Sequence, residues 1–161
     1  MRLYLLRHGD AEKVSEEGKD FDRGLTELGK KQIERVKKRI ENDFSNHEFT
    51  VFCSSSQRTR ETWEIIAPVV EVEELEFLDD LYLAERTKLL NFIWNVNHPT
   101  DDVLIVGHNK GISDLASYLL DERIILPTSG FLVIDFPDAE DLSETGIGLG
   151  VKLSKCFPVE E

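Results

Sequence analysis

Short apolar runs alternate along this chain with segments of helical period, and this alternation restricts the fold more than any other feature. "RLYLL" (2–6), "TVFCS" (50–54) and "DVLIVG" (102–107) have strand length and are rich in branched or aromatic residues. "DVLIVG" has no polar side chain after its first residue, which predicts a strand covered on both faces. A helix is predicted from Thr26 as N-cap to about Phe44, with Ile33, Val36, Ile40 and Phe44 on one stripe. "SQRTRETWEIIA" (56–67), stopped by Pro68, "RTKLLNFIWNV" (86–96) and "NKGISDLASYLL" (109–120) predict three more helices. "VEVEELEFL" (70–78) is ambiguous and compatible with a third strand, while "FLVIDF" (131–136) and "GLGVKLSK" (148–155) predict late strands, open to an antiparallel placement. The order predicts an α/β fold: a three-layer α/β/α sandwich around a mostly parallel sheet.

A length of 161 residues fits one domain, 1–161, and no repeat or linker divides it. The formal net charge of −13 argues against nucleic acid and against anionic membrane surfaces as partners. No apolar run is long enough to cross a bilayer, and "MRLYLLRHG" lacks the features of a secretory signal, so a cytoplasmic location is expected. Cys53 and Cys156 are far apart and have no metal-type spacing, so both are expected to be reduced thiols. The sequence is compatible with a monomer or a small homo-oligomer.

Ligands of such sheets bind beyond the carboxyl ends of the strands. Three segments fall there: "RHG" (7–9), "SSSQR" (54–58) and "GHN" (107–109). Residues 7–24, polar and containing Gly9, Gly18 and Gly24, predict a long loop leaving the first of them. Taken singly, His8 could be a turn histidine, His108 a helix cap and Arg58 a solvated arginine. Taken together, two arginines and two histidines would meet at one sheet edge, beside the helix N-termini expected at residues 56 and 109. In an acidic chain, such a cluster suits a tetrahedral dianion, and arginine offers paired donors that match phosphate oxygens. A metal site built from His8, His108 and Asp10 is the competing use; two neighbouring guanidiniums would repel a cation there.

"LLRHGDAE" (5–12), "RGLTELG" (23–29), "SSSQRTRET" (54–62) and "VGHN" (106–109) resemble, in this order, the motifs of the histidine phosphatase superfamily. The short length is most similar to the SixA-type phosphohistidine phosphatase branch. The resemblance implies a phosphoglycerate mutase-like fold with no metal and no cofactor. It implies His8 as a nucleophile that becomes transiently phosphorylated, with Arg7 and Arg58 binding phosphoryl oxygens and His108 as the second pocket histidine, expected protonated. Asn109, next to it in "VGHN", is carried along as a substrate-binding candidate. Thr26 and Gly29 match a Thr-x-x-Gly step that caps the first helix.

Relatives in the larger branch carry an acid that protonates the leaving oxygen. Asp80 and Glu85 in "EFLDDLYLAER" (76–86) are the candidates for a general acid, with Asp10 and Glu12 as others, and none stands out. A site without a strong acid suits a phosphoramidate better than an alkyl ester, because an imidazole leaving group can be protonated near neutral pH. The expected activity is a metal-independent phosphatase acting on phosphohistidine in a protein. The alternatives are a small-molecule phosphomonoesterase or mutase of the same chemistry, acting on a small phosphate ester, and a non-catalytic phosphate-binding module. "PTSG" (127–130) could add a hydroxyl at the pocket rim through Thr128 or Ser129, or be a plain turn.

Overall fold

The computed structural model describes residues 1–156, with side chains to Ser154, so the thiol expected at Cys156 lies outside the described side chains. Six strands form one sheet: β1 (Arg2–Arg7), β2 (Glu48–Ser54), β3 (Glu71–Leu78), β4 (Asp102–Gly107), β5 (Phe131–Asp135) and β6 (Val151–Cys156). Four helices connect them: α1 (Glu27–Phe44), α2 (Gln57–Ile66), α3 (Arg86–Asn95) and α4 (Gly111–Leu120). The strand order is β3-β2-β4-β1-β5-β6. The first four are mutually parallel, β5 runs antiparallel to β1, and β6 antiparallel to β5. The ambiguous segment at 70–78 is therefore a strand, and both late strands are antiparallel.

Alternation along the strands divides the interior into two cores. Leu3, Leu5, Phe52, Val103 and Ile105 face Leu89 and Ile93 of α3 and Ile112, Leu115 and Leu119 of α4. Tyr4, Leu6, Val51, Cys53, Leu104 and Val106 face Ile33, Val36, Ile40 and Phe44 of α1 and Trp63 and Ile66 of α2. Each of these aliphatic side chains contributes about 1.5–3 kcal/mol on leaving water, so β1 and β4, covered on both sides, anchor the sheet. The result is the expected three-layer sandwich. Cys53 is buried in it, and burial pushes its thiol pKa up to about 12, so the reduced thiol expected there is inert.

Thr26 begins α1 as predicted: its hydroxyl oxygen accepts from the Gly29 backbone N–H at 3.0 Å. The same hydroxyl donates to the Asp10 carboxylate at 2.7 Å, tying the loop after β1 to the helix. The loop and the helix touch so closely that a Cβ on Gly9 would lie 2.7 Å from the Gly29 carbonyl oxygen, and one on Gly29 would overlap the Asp10 carbonyl. α4 starts at Gly111, two residues later than expected, because Asn109 and Lys110 form a turn after β4.

Candidate active site

β1 lies between β4 and β5, so its last residues meet backbone from both neighbours. The Arg7 N–H donates to the Gly130 carbonyl at 3.0 Å and the His8 N–H to the Gly107 carbonyl at 3.2 Å. The Ser129 N–H donates to the His8 carbonyl at 2.9 Å. Arg7 also donates from Nη1 to the Leu126 carbonyl at 2.9 Å. His8 thus leaves the sheet with its backbone fixed on both sides, and the residue is 8% exposed.

His8 Nδ1 lies 2.7 Å from the Gly9 carbonyl oxygen. A carbonyl only accepts, so Nδ1 carries the proton and the neutral ring has its lone pair on Nε2. Burial, followed by the positive charges of Arg58, Arg7 and Arg23, lowers the pKa of this ring to about 4, against the opposing pull of the Gly9 carbonyl. His8 is therefore neutral at physiological pH.

His108 follows β4, and its ring centroid is 5.4 Å from that of His8. Its Nε2 is 2.8 Å from the Ser54 hydroxyl at the end of β2, and the Tyr82 ring meets it edge-on at 5.4 Å. Burial, then the neighbouring His8 and the Arg58 charge, lowers its pKa to about 3. The expectation of a protonated His108 is corrected accordingly: the ring is neutral and offers one N–H.

Arg58 stands in the first turn of α2, where the helix dipole disfavours a cation, yet it is 3% exposed. Its partner is Asp20, from the long loop. Nη1 donates to the Asp20 carbonyl at 2.8 Å and Nη2 to its carboxylate at 3.1 Å. Arg23 donates to the other carboxylate oxygen at 2.7 Å, and the Tyr82 hydroxyl also donates to this group. The Tyr82 hydrogen bond first, then Arg58, holds the Asp20 pKa at about 2. α2 is tied to the histidine loop as well, since the Gly9 N–H donates to the Thr62 hydroxyl at 3.2 Å.

The structure therefore brings Arg7, His8, Arg58 and His108 to one edge. Asn109 is beside it, but its amide oxygen accepts from the Ser113 hydroxyl, which in turn accepts from the Leu126 N–H at 2.9 Å. The acid candidates are elsewhere. Asp80 is exposed and faces Lys88 at 3.6 Å, and Glu85 is exposed at the start of α3. Asp10 holds Thr26, and Glu12 offers its backbone carbonyl to Arg23 Nε at 2.5 Å. None of the four side chains bonds to Arg7, His8, Arg58 or His108 among the described residues. His8, His108 and Asp10 do not gather into a metal site: no group of three potential ligands forms among the described residues.

Sequence reasoning missed Asp20, Arg23, Tyr82 and Ser54. Arg23 stood inside a motif already singled out, three residues before Thr26, and Tyr82 closes the turn after β3. Asp20 had no signal of its own in a loop crowded with carboxylates.

Residues 3–91 match the sequence profile of the histidine phosphatase superfamily, branch 1. The chain belongs to this superfamily. It is a phosphatase-class enzyme, and this histidine phosphatase has close counterparts among solved folds. One is a candidate phosphohistidine phosphatase SixA from Nakamurella multipartitia, 23% identical, with a TM-score of 0.82 over 99% of this chain and 96% of that one. A second is the protein histidine phosphatase SixA complexed with tungstate, 20% identical, with a TM-score of 0.79 over 98% and 97% of the two chains. A phosphoserine phosphatase from Entamoeba histolytica, solved with phosphoserine, is 18% identical with a TM-score of 0.63 over 96% and 95%. At these identities the likeness establishes the phosphoglycerate mutase-like fold. A search of curated protein sequences returned no match. Among the described residues, no helix of the histidine phosphatase is long and apolar enough to cross a membrane.

Proposed function

We propose that this enzyme hydrolyses phosphohistidine on a protein substrate, without a metal, through a phosphorylated His8. The observation that carries the reading is the Nδ1–H of His8 on the Gly9 carbonyl, which leaves the Nε2 lone pair available at physiological pH. In the first step Nε2 forms a bond to phosphorus as the bond to the leaving nitrogen breaks. Charge that develops on the His8 ring is met by the Gly9 carbonyl. Arg7, Arg58 and the N–H of His108 stabilise the three equatorial oxygens. Water then attacks phosphorus, the P–Nε2 bond breaks, and inorganic phosphate leaves with His8 restored to neutrality. Two guanidiniums beside the ring take the charge-neutralising role of a metal and would repel one.

The proton inventory supports this substrate class. Asp20 is the carboxylate that touches the phosphate arginine, and its pKa of about 2 makes it a poor proton donor. An alkoxide leaving group needs a donated proton, whereas phosphohistidine can take one from solvent on its other ring nitrogen and depart as neutral imidazole.

Turnover of a phosphohistidine-bearing protein should exceed that of a phosphoserine peptide; a clear preference for the peptide refutes the substrate class. Rapid quenching with labelled substrate should place phosphate on His8, and label elsewhere refutes the intermediate. A chelator should leave the rate unchanged.

A further inference from the structure

Apart from Arg39 Nε, the buried side-chain polar atoms without a hydrogen-bond partner among the described residues all belong to one edge of the sheet. They are Arg7 Nε, Arg58 Nε, His108 Nδ1 and the Ser129 hydroxyl. Three of them sit on residues already assigned to the phosphoryl group. The fourth does not. Native folds rarely leave a buried hydroxyl without a partner, so one beside the proposed phosphoryl site calls for an explanation.

Ser129 is fully buried, and its backbone is fixed against the nucleophile. β1 and β5 are antiparallel with Leu6 opposite Phe131, and the register continues so that Ser129 faces His8, its N–H on the His8 carbonyl at 2.9 Å. The adjoining Gly130 carbonyl accepts from Arg7, and Leu126 at the head of the same turn accepts from the Arg7 guanidinium. The turn therefore touches both residues of the Arg-His pair. Ser129 takes a left-handed backbone conformation, φ +58°, which disfavours any side chain, yet the position holds a serine where glycine would be less strained.

We infer that the Ser129 hydroxyl is a fourth donor to the bound phosphoryl group, an uncharged one alongside Arg7, Arg58 and His108. The inference rests on the proposed phosphatase site. A hydroxyl can both donate and accept, so Ser129 bonds a phosphoryl oxygen without adding positive charge beside His8, whose neutrality the attack requires.

Ser129→Ala and Ser129→Gly test it, with inorganic phosphate binding measured by calorimetry and aryl phosphate turnover measured in parallel. Both variants keep the N–H that holds His8, and the glycine relieves the left-handed strain. A hydrogen bond to a charged partner is lost in each, so phosphate affinity and kcat/KM should fall roughly tenfold or more in both. The thermal midpoint should hold in the alanine variant and hold or rise in the glycine variant. Unchanged phosphate affinity in either variant, with or without a lowered midpoint, overturns the assignment and makes Ser129 structural. If the unsubstituted protein neither binds phosphate nor turns over, the phosphatase reading fails and this inference fails with it.

Discussion

The Asp20 carboxylate lies 3.1 Å from the Arg58 guanidinium and shares Arg23 and Tyr82 as further partners. A negative group thus already occupies part of the arginine that is proposed to receive the substrate's phosphate. Asp20→Asn keeps an acceptor for Tyr82 and removes the charge. Affinity for inorganic phosphate should rise about fivefold, on the order of 1 kcal/mol for one repulsive charge near the surface. The maximal rate should fall, since Arg58 is then less firmly oriented. Calorimetry and steady-state kinetics read the two effects separately, and weaker phosphate binding in the variant would contradict the competition.

Arg58→Ala should cost about 3 kcal/mol of transition-state stabilisation, or on the order of 10²-fold in kcat/KM. Arg58→Lys should recover little, because an ammonium cannot form the paired bonds that the guanidinium makes to the Asp20 carbonyl and carboxylate. The check is kcat/KM for an aryl phosphate across the three proteins. An unaltered rate in the alanine variant would mean that the phosphate binds elsewhere.

Both site histidines have pKa values below the ordinary 6.5, His8 at about 4 and His108 at about 3. On acidification the unfolded chain takes up these protons first, so stability is full above about pH 6.5 and declines as the pH falls towards the folded-state values. Two imidazole resonances should show no titration between about pH 5 and pH 8. Their assignment by His8→Ala and His108→Ala is the control, and midpoints near 6.5 for these rings would contradict the buried, cation-flanked environment.

Thr26→Ala removes the α1 cap and the anchor for Asp10, with an expected loss of about 1 kcal/mol or slightly more. Gly29→Ala should be worse, since its Cβ would overlap the Asp10 carbonyl and push the loop that begins at His8 away from the helix. Urea denaturation should rank the two variants in that order. Gly29→Ala should also reduce turnover beyond what its stability loss explains; equal activity to the parent would show that the loop can shift without disturbing His8.

The sheet was legible because its signals are local. Branched runs such as "DVLIVG" and the stripe Ile33, Val36, Ile40, Phe44 declare their own period, and each fell where the structure buries it. Edge strand β3 was ambiguous for a physical reason: its residues are exposed or half-buried and its carboxylates mask the alternation. At the site, Arg7, His8, Arg58 and His108 sit at strand or helix ends, where topology delivers them. Asp20 and Tyr82 reach the same place through loop paths, and their pairing across 62 positions has no sequence period to reveal it. The charge state of His108 was misjudged because burial outweighs the pull of a nearby carboxylate, and burial is a tertiary property.

The peptide clasps that hold Arg7 and His8 come from Gly107, Ser129 and Gly130, all outside the long loop that follows. Residues 11–24 therefore leave the backbone of Arg7 and His8 to other segments, and within them it is Asp20, held by Arg23, that touches Arg58. Grafting a different segment between Asp10 and Leu25 that keeps Asp20 and Arg23 would change what reaches the imidazole while Arg7, His8 and Arg58 stay in register, which makes the rest of this loop the natural place to retarget the enzyme.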